Sequence, residues 1–121
     1  MPDRHRVLLI EDDADTRASL YQLLTQEGYS VLTADDGQQA FDLLERGIRP
    51  SVIMIDLMLP RVSGFDLIRH LRTDPELRLI PTVVITALAK DSVNVIADVV
   101  FHKPLEYEPL LASVRTLLQK H

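Results

Sequence analysis

The segment 52-VIMIDLMLP-60 sets four apolar residues directly before Asp56 and resumes apolar residues directly after it. Three of the four are β-branched, and the run is continuous rather than alternating. That is the pattern of a parallel strand covered on both faces. A lone carboxylate is costly to bury, so Asp56 has to be paired, bound to a metal, or delivered to an edge that water and ligands reach. The expectation is that the strand ends at Asp56 and that this edge position keeps the carboxylate out of the core.

Similar runs recur at 7-VLLI, 30-SVLTA, 82-TVVIT and 99-VVFH. Helix-length amphipathic stretches lie between them. The first, 14-ADTRASLYQLLTQEG, spaces Leu20, Leu23 and Leu24 helically and stops at Gly28. The second, 37-GQQAFDLLERG, carries Ala40, Phe41, Leu43 and Leu44 and stops at Gly47. The third, 64-GFDLIRHLR, carries Leu67, Ile68 and Leu71, and the last, 107-YEPLLASVRTLLQK, carries Leu110, Leu111, Val114, Leu117 and Leu118. The stretch 87-ALAKDSVNVIAD leaves room for only a short helix. Strands alternating with helices predict an α/β fold: one doubly wound parallel sheet with right-handed crossovers and helices on both faces.

A chain of 121 residues suits one domain over 1–121, with no output domain expected. It buries roughly two-thirds of its unfolded surface, enough for one core. Hydrophobic residues make up 46% and charged residues 26%, as in ordinary globular proteins. The net charge of −5 gives little support to direct nucleic-acid or anionic-membrane binding, and 5% aromatics without Trp gives little to base stacking. The absence of Cys excludes disulfides, thiol nucleophiles and thiolate metal sites. The start, 1-MPDRHRVLLIEDD, turns acidic after four apolar residues and is not a signal peptide. No apolar run approaches the ~20 residues of a membrane helix. The expectation is a soluble, cytoplasmic protein.

In an open α/β sheet, ligands bind outside the carboxyl ends of the strands. Strand one ends in Glu11, Asp12 and Asp13, strand three in Asp56, strand four in Thr86, and strand five in His102, Lys103 and Pro104. Carboxylates crowded on one edge repel unless a cation intervenes, and a few hard oxygen ligands suit Mg²⁺. A carboxylate such as Asp56 is also a nucleophile able to accept a phosphoryl group. Mg²⁺, the Lys103 ammonium and the Thr86 hydroxyl could each take up part of that group's charge.

The motifs 8-LLIEDDADTR, 52-VIMIDLMLPRVSG, 81-PTVVITALA and 102-HKP, in this order at strand ends, resemble those of response-regulator receiver domains of two-component signalling. The resemblance covers essentially the whole chain. It implies a CheY-like, flavodoxin-like five-stranded sheet of order 2-1-3-4-5. It implies Asp56 as phosphoacceptor from a sensor histidine kinase or phosphotransfer protein in a Mg²⁺-dependent reaction. Glu11, Asp12, Asp56 and the backbone carbonyl of Met58 would hold Mg²⁺. Thr86 would be the switch hydroxyl, Lys103 would pair with the phosphoryl group, and the Lys103–Pro104 peptide would be cis. Such a domain is not an enzyme, although it assists its own phosphorylation and dephosphorylation. It relays its state to a downstream protein, with a homodimer as one option.

Each residue also has a plainer reading. The acids after strand one could simply favour a helix start, and Asp13 is assigned mainly to that. Taken singly, Thr86 reads as a β-branched strand residue and Lys103 as a solvated lysine. His102 and the other three histidines show no ligand spacing and are assigned no chemistry. Asp56 is the hardest to explain without function.

The sequence departs from the family pattern in three places. Glu11 stands where Asp is common. Thr86 and Lys103 are seventeen positions apart (103 − 86), shorter than the family spacing by roughly five residues, about one and a half helical turns. The helix between strands four and five, the fourth helix of that fold, is therefore expected to be shortened or irregular. Val100 stands where most members carry the Tyr or Phe that rotates inward on activation. Phosphorylation is thus expected with an atypical readout. Met58 and Leu88, flanking the path of attacking water in the family, predict slow dephosphorylation.

Two other functions compete. A Mg²⁺-dependent phosphatase would carry a second Asp where Met58 stands and would have a cap domain. A non-phosphorylated receiver-like interaction module gains from the altered output region but does not need the full acid–Asp–Thr–Lys set. The four glycines form no phosphate loop. With no DNA-binding region after residue 121, output is expected through another protein, unless this receiver is part of a larger regulator.

Overall fold

Each β-branched run forms a strand: β1 Arg6–Ile10, β2 Ser30–Ala34, β3 Val52–Asp56, β4 Thr82–Thr86 and β5 Val99–His102. The computed structural model describes residues 5–120; residues 1–4, part of the N-terminal stretch read above, and residue 121 lie outside it. All pairings are parallel and the order is β2-β1-β3-β4-β5. The central strands β3 and β4 are buried at every position.

Helices α1 (Ala14–Gln26) and α4 (Tyr107–Lys120) cover one face, and α2 (Gly37–Glu45) and α3 (Gly64–Thr73) the other. The two-residue strand period splits the core in two. Val7, Leu9, Val52, Met54, Val83 and Ile85 pack with Leu20, Leu24, Leu110 and Val114. Leu8, Ile10, Ile53, Ile55 and Val84 pack with Ala40, Leu44, Leu67 and Leu71. Each fully buried Val, Leu, Ile or Met among them stabilises by about 1.5–3 kcal/mol relative to exposure.

The helix starts are capped by short polar side chains. Asp13, Asp36 and Ser63 accept hydrogen bonds from the backbone N–H of Thr16, Gln39 and Asp66. Asp13 is thus a helix cap, as its plainer reading held. The β4–β5 crossover contains only a 3₁₀ turn at Lys90–Ser92. From there to β5 the burial alternates, with Val93, Val95 and Ala97 turned in and Asn94, Ile96 and Asp98 out. The expected irregularity between strands four and five is therefore complete: an extended segment stands in the helix's place. Among the described residues, no helix is long and apolar enough to cross a membrane.

Candidate functional site

Strand parity sorts the candidate residues. Continuing the two-residue period to the carboxyl ends assigns Glu11, Asp56 and Lys103 to the α1/α4 side, in step with Leu9, Met54 and Phe101. Thr86 and His102 fall on the α2/α3 side, in step with Val84 and Val100.

The structure brings the first three together. Lys103 Nζ donates to Glu11 Oε1 at 2.6 Å and to Asp56 Oδ2 at 2.9 Å. Met58 N–H donates to Asp56 Oδ1 at 3.0 Å. Glu11 is 0% exposed and Asp56 only 3%. The expectation that the strand end keeps Asp56 out of the core is therefore corrected. Its carboxylate is buried, because Lys103 and the Met58 N–H replace water around it. Asp12 is exposed, and one carboxylate oxygen each from Glu11, Asp12 and Asp56 lie within 4.8 Å of one another.

The cluster is short of positive charge. Burial pushes the Glu11 carboxyl up to about 7, against the opposing Lys103 hydrogen bond and with help from neighbouring Asp56. Burial works against the Lys103 ammonium, but its hydrogen bonds to Glu11 and Asp56 outweigh this and hold its pKa above the usual lysine value. Two buried carboxylates share the Lys103 ammonium, a third lies close by, and the donor set is all hard oxygen. Both features fit a divalent cation such as Mg²⁺.

Thr86 is fully buried, and its Oγ1 accepts from Leu88 N–H at 3.0 Å. Among the described residues no hydrogen bond joins Thr86 to Asp56. Met58 offers its N–H to Asp56, and among the described residues no hydrogen bond is donated to its carbonyl. The Met58 side chain is 56% exposed, and an open cleft of about 510 Å³ runs beside it between Asp12, Ser63 and Phe65. The Lys103–Pro104 peptide is cis.

Two residues supporting the site received no role from the sequence. The Arg17 guanidinium donates to the carbonyls of Glu11 at 2.8 Å and Asp12 at 3.3 Å, fixing the turn that carries both acids. Its signal was a cation in the opening turns of α1, where the helix dipole disfavours one. Gly64 opens α3 against the end of β3, where an added Cβ would lie 2.4 Å from Asp56 O.

A family model described as the response regulator receiver domain matches residues 7–115. Response regulator MprA from Mycolicibacterium vanbaalenii is 38% identical over 120 residues, covering 95% of this chain and 51% of that protein. The Mycobacterium leprae protein of the same name is 37% identical over the same shares. This chain thus spans about half the length of these curated relatives. The signal receiver domain of a signal transduction histidine kinase from Syntrophus aciditrophicus superposes with a TM-score of 0.89 at 29% identity, covering 96% of this chain and 91% of that one. The receiver domain of a sensor histidine kinase from Pseudomonas aeruginosa, solved with magnesium coordinated in its active site cleft, superposes at 0.87 with 26% identity, covering 97% and 99%. With the receiver family model matched over residues 7–115 and its fold shared with solved receiver domains, this chain belongs to the response regulator receiver domain family of two-component signalling.

Proposed function

We propose that Asp56 is the phosphoacceptor of this receiver and that Glu11, Asp12, Asp56 and the Met58 carbonyl hold the Mg²⁺ its reaction needs. The observation that carries the reading is the charge balance at the β-strand ends. Among the described residues Lys103 alone bridges Glu11 and Asp56, with Asp12 close by and two of the three acids buried. Mg²⁺, when bound, supplies charge neutralisation for the acids and for the phosphoryl oxygens.

The chain's own residues do the rest. The Met58 N–H fixes Asp56 Oδ1 and so orients the carboxylate. A carboxylate oxygen of Asp56 bonds to phosphorus as the donor's P–N bond breaks, leaving an acyl phosphate here and an imidazole on a histidine kinase or phosphotransfer protein. Lys103, already on Asp56 Oδ2, then pairs with a phosphoryl oxygen, and Thr86 turns its hydroxyl toward the same group. Asp56 is consumed in each event and regained by hydrolysis, so the domain is a switch rather than an enzyme with turnover. Its donors are cytoplasmic, and its state is read by a protein partner on the reshaped β4–β5 side.

Borohydride trapping tests the assignment. Acetyl phosphate with Mg²⁺ followed by borohydride reduction should convert Asp56, and no other acid, to homoserine in a peptide map. Conversion at another residue would overturn it.

A further inference from the structure

The turn after β4 is held through one residue. Leu88 N–H donates to Thr86 Oγ1 at 3.0 Å, and Leu88 C=O lies 2.9 Å from His102 Nδ1. A carbonyl oxygen only accepts, so His102 Nδ1 carries the proton in this contact. His102 is the register partner of Thr86 across β4 and β5, and Lys103 N–H closes the same ladder on Thr86 O at 2.7 Å. The imidazole therefore stands on a fixed platform beside the hydroxyl it reaches through Leu88.

Two local features give this contact its importance. The crossover that follows has only a 3₁₀ turn at Lys90–Ser92, so no helix anchors the turn. Val100, two residues before His102 on the same face of β5, has no polar atom with which to hold or report the turn. The Leu88 side chain packs against the α2/α3 core, but its backbone orientation is fixed by Thr86 on one side and His102 on the other.

We propose that His102 is a positioning residue that keeps the Thr86 hydroxyl in its resting orientation by holding the Leu88 backbone. Turning Thr86 toward a phosphoryl group on Asp56 breaks its bond from Leu88 N–H, and the His102–Leu88 bond resists the movement of the turn that follows. The imidazole thus sets the balance between resting and activated states in a receiver without the aromatic switch residue. The last step rests on the phosphoacceptor reading; the tether itself does not.

The test is a double-mutant cycle read with beryllofluoride, a phosphoryl mimic, in Mg²⁺. His102→Ala should bind beryllofluoride roughly two- to tenfold more tightly than wild type, the range set by one neutral hydrogen bond. His102→Asn, whose amide nitrogen stands near the Nδ1 position, should return to the wild-type value. In a Thr86→Ala background, His102→Ala should have no effect on that affinity. NMR of the resting protein supplies a second readout. The ring should be protonated on Nδ1, and Leu88 amide exchange should quicken roughly two- to tenfold in His102→Ala and recover in His102→Asn.

A ring protonated on Nε2 alone overturns the proposal, as does unchanged Leu88 exchange in His102→Ala. An equal gain in affinity with and without Thr86 also overturns it. If wild type takes up no beryllofluoride, the phosphoacceptor reading fails and the coupling to Asp56 falls with it. The resting-state NMR then still decides whether His102 holds the turn.

Discussion

Lys103 Nζ lies 2.6 Å from Glu11 Oε1, a carboxylate with no exposure whose pKa burial nevertheless carries from 4.5 to about 7. Between those two values the folded protein keeps a proton that the unfolded chain has released. The stability this confers is complete below 4.5 and lost as pH rises through about 7. Urea melts of the metal-free protein across this range should show Glu11 contributing a decline on the order of 3 kcal/mol, absent in Glu11→Gln. Mg²⁺ needs the ionised carboxylate, so its affinity should fall as pH drops below about 7. A pH profile shared by wild type and Glu11→Gln would contradict this.

Asp12 offers a different lever, being exposed and free of the Lys103 contacts. Its oxygen lies within 4.8 Å of those of Glu11 and Asp56, so above about pH 7, where Glu11 is ionised, the three charges repel in the metal-free protein. Asp12→Asn should stabilise the protein in EDTA by on the order of 1 kcal/mol while removing Mg²⁺ binding. Calorimetric titration and denaturant melts read the two effects separately. A variant that loses stability without metal would show that Asp12 is held by contacts rather than strained by charge.

Gly64 separates close approach from backbone flexibility. A Cβ there would sit 2.4 Å from Asp56 O and 2.5 Å from Leu57 Cα, both backbone atoms. Gly64→Ala should therefore lower stability by about 2–4 kcal/mol and slow phosphoryl uptake, because α3 must move away from the strand that carries Asp56. Denaturant melts and uptake from acetyl phosphate check both. Wild-type stability would mean that α3 shifts without strain.

The lifetime of the phosphoryl group should follow the side chains at Met58 and Leu88. Met58 overhangs the cleft beside Asp12, and Leu88 is half-buried on the turn next to Thr86. Apolar groups in both places hinder an attacking water and give it no hydrogen bond. Met58→Asn together with Leu88→Glu should speed phosphoryl loss by roughly tenfold, equivalent to about 1.4 kcal/mol of barrier. Decay curves of the phosphorylated protein measure it, and an unchanged rate would remove both side chains from the water path.

The five strands and four helices were legible because burial imposes a period on them: continuous β-branched runs in the middle of the sheet and leucines at helical spacing on its faces. The strand-end acids, Thr86 and Lys103 were legible because an open parallel sheet gathers those positions on one edge. The burial of Asp56 was not. It depends on Lys103, forty-seven residues away in sequence, folding back over the strand end. Nor was the work of Arg17, Gly64 and His102. Arg17 acts on backbone carbonyls, Gly64 by the space it leaves, and His102 on the Leu88 carbonyl fourteen residues earlier. Apart from the misplaced cation of Arg17 at the start of α1, none of these contacts leaves a side-chain pattern to read. The short 3₁₀ turn at Leu77–Leu79, whose Leu77 N–H donates to Asp74 Oδ1, is likewise too brief to carry a period.

The most direct test of the account is intact mass after incubation with acetyl phosphate, with and without Mg²⁺, for wild type and Asp56→Asn. The account predicts a gain of one phosphoryl group in wild type with Mg²⁺, none without it, and none in Asp56→Asn under either condition. An equal gain in Asp56→Asn, or no gain in wild type with Mg²⁺, would contradict it.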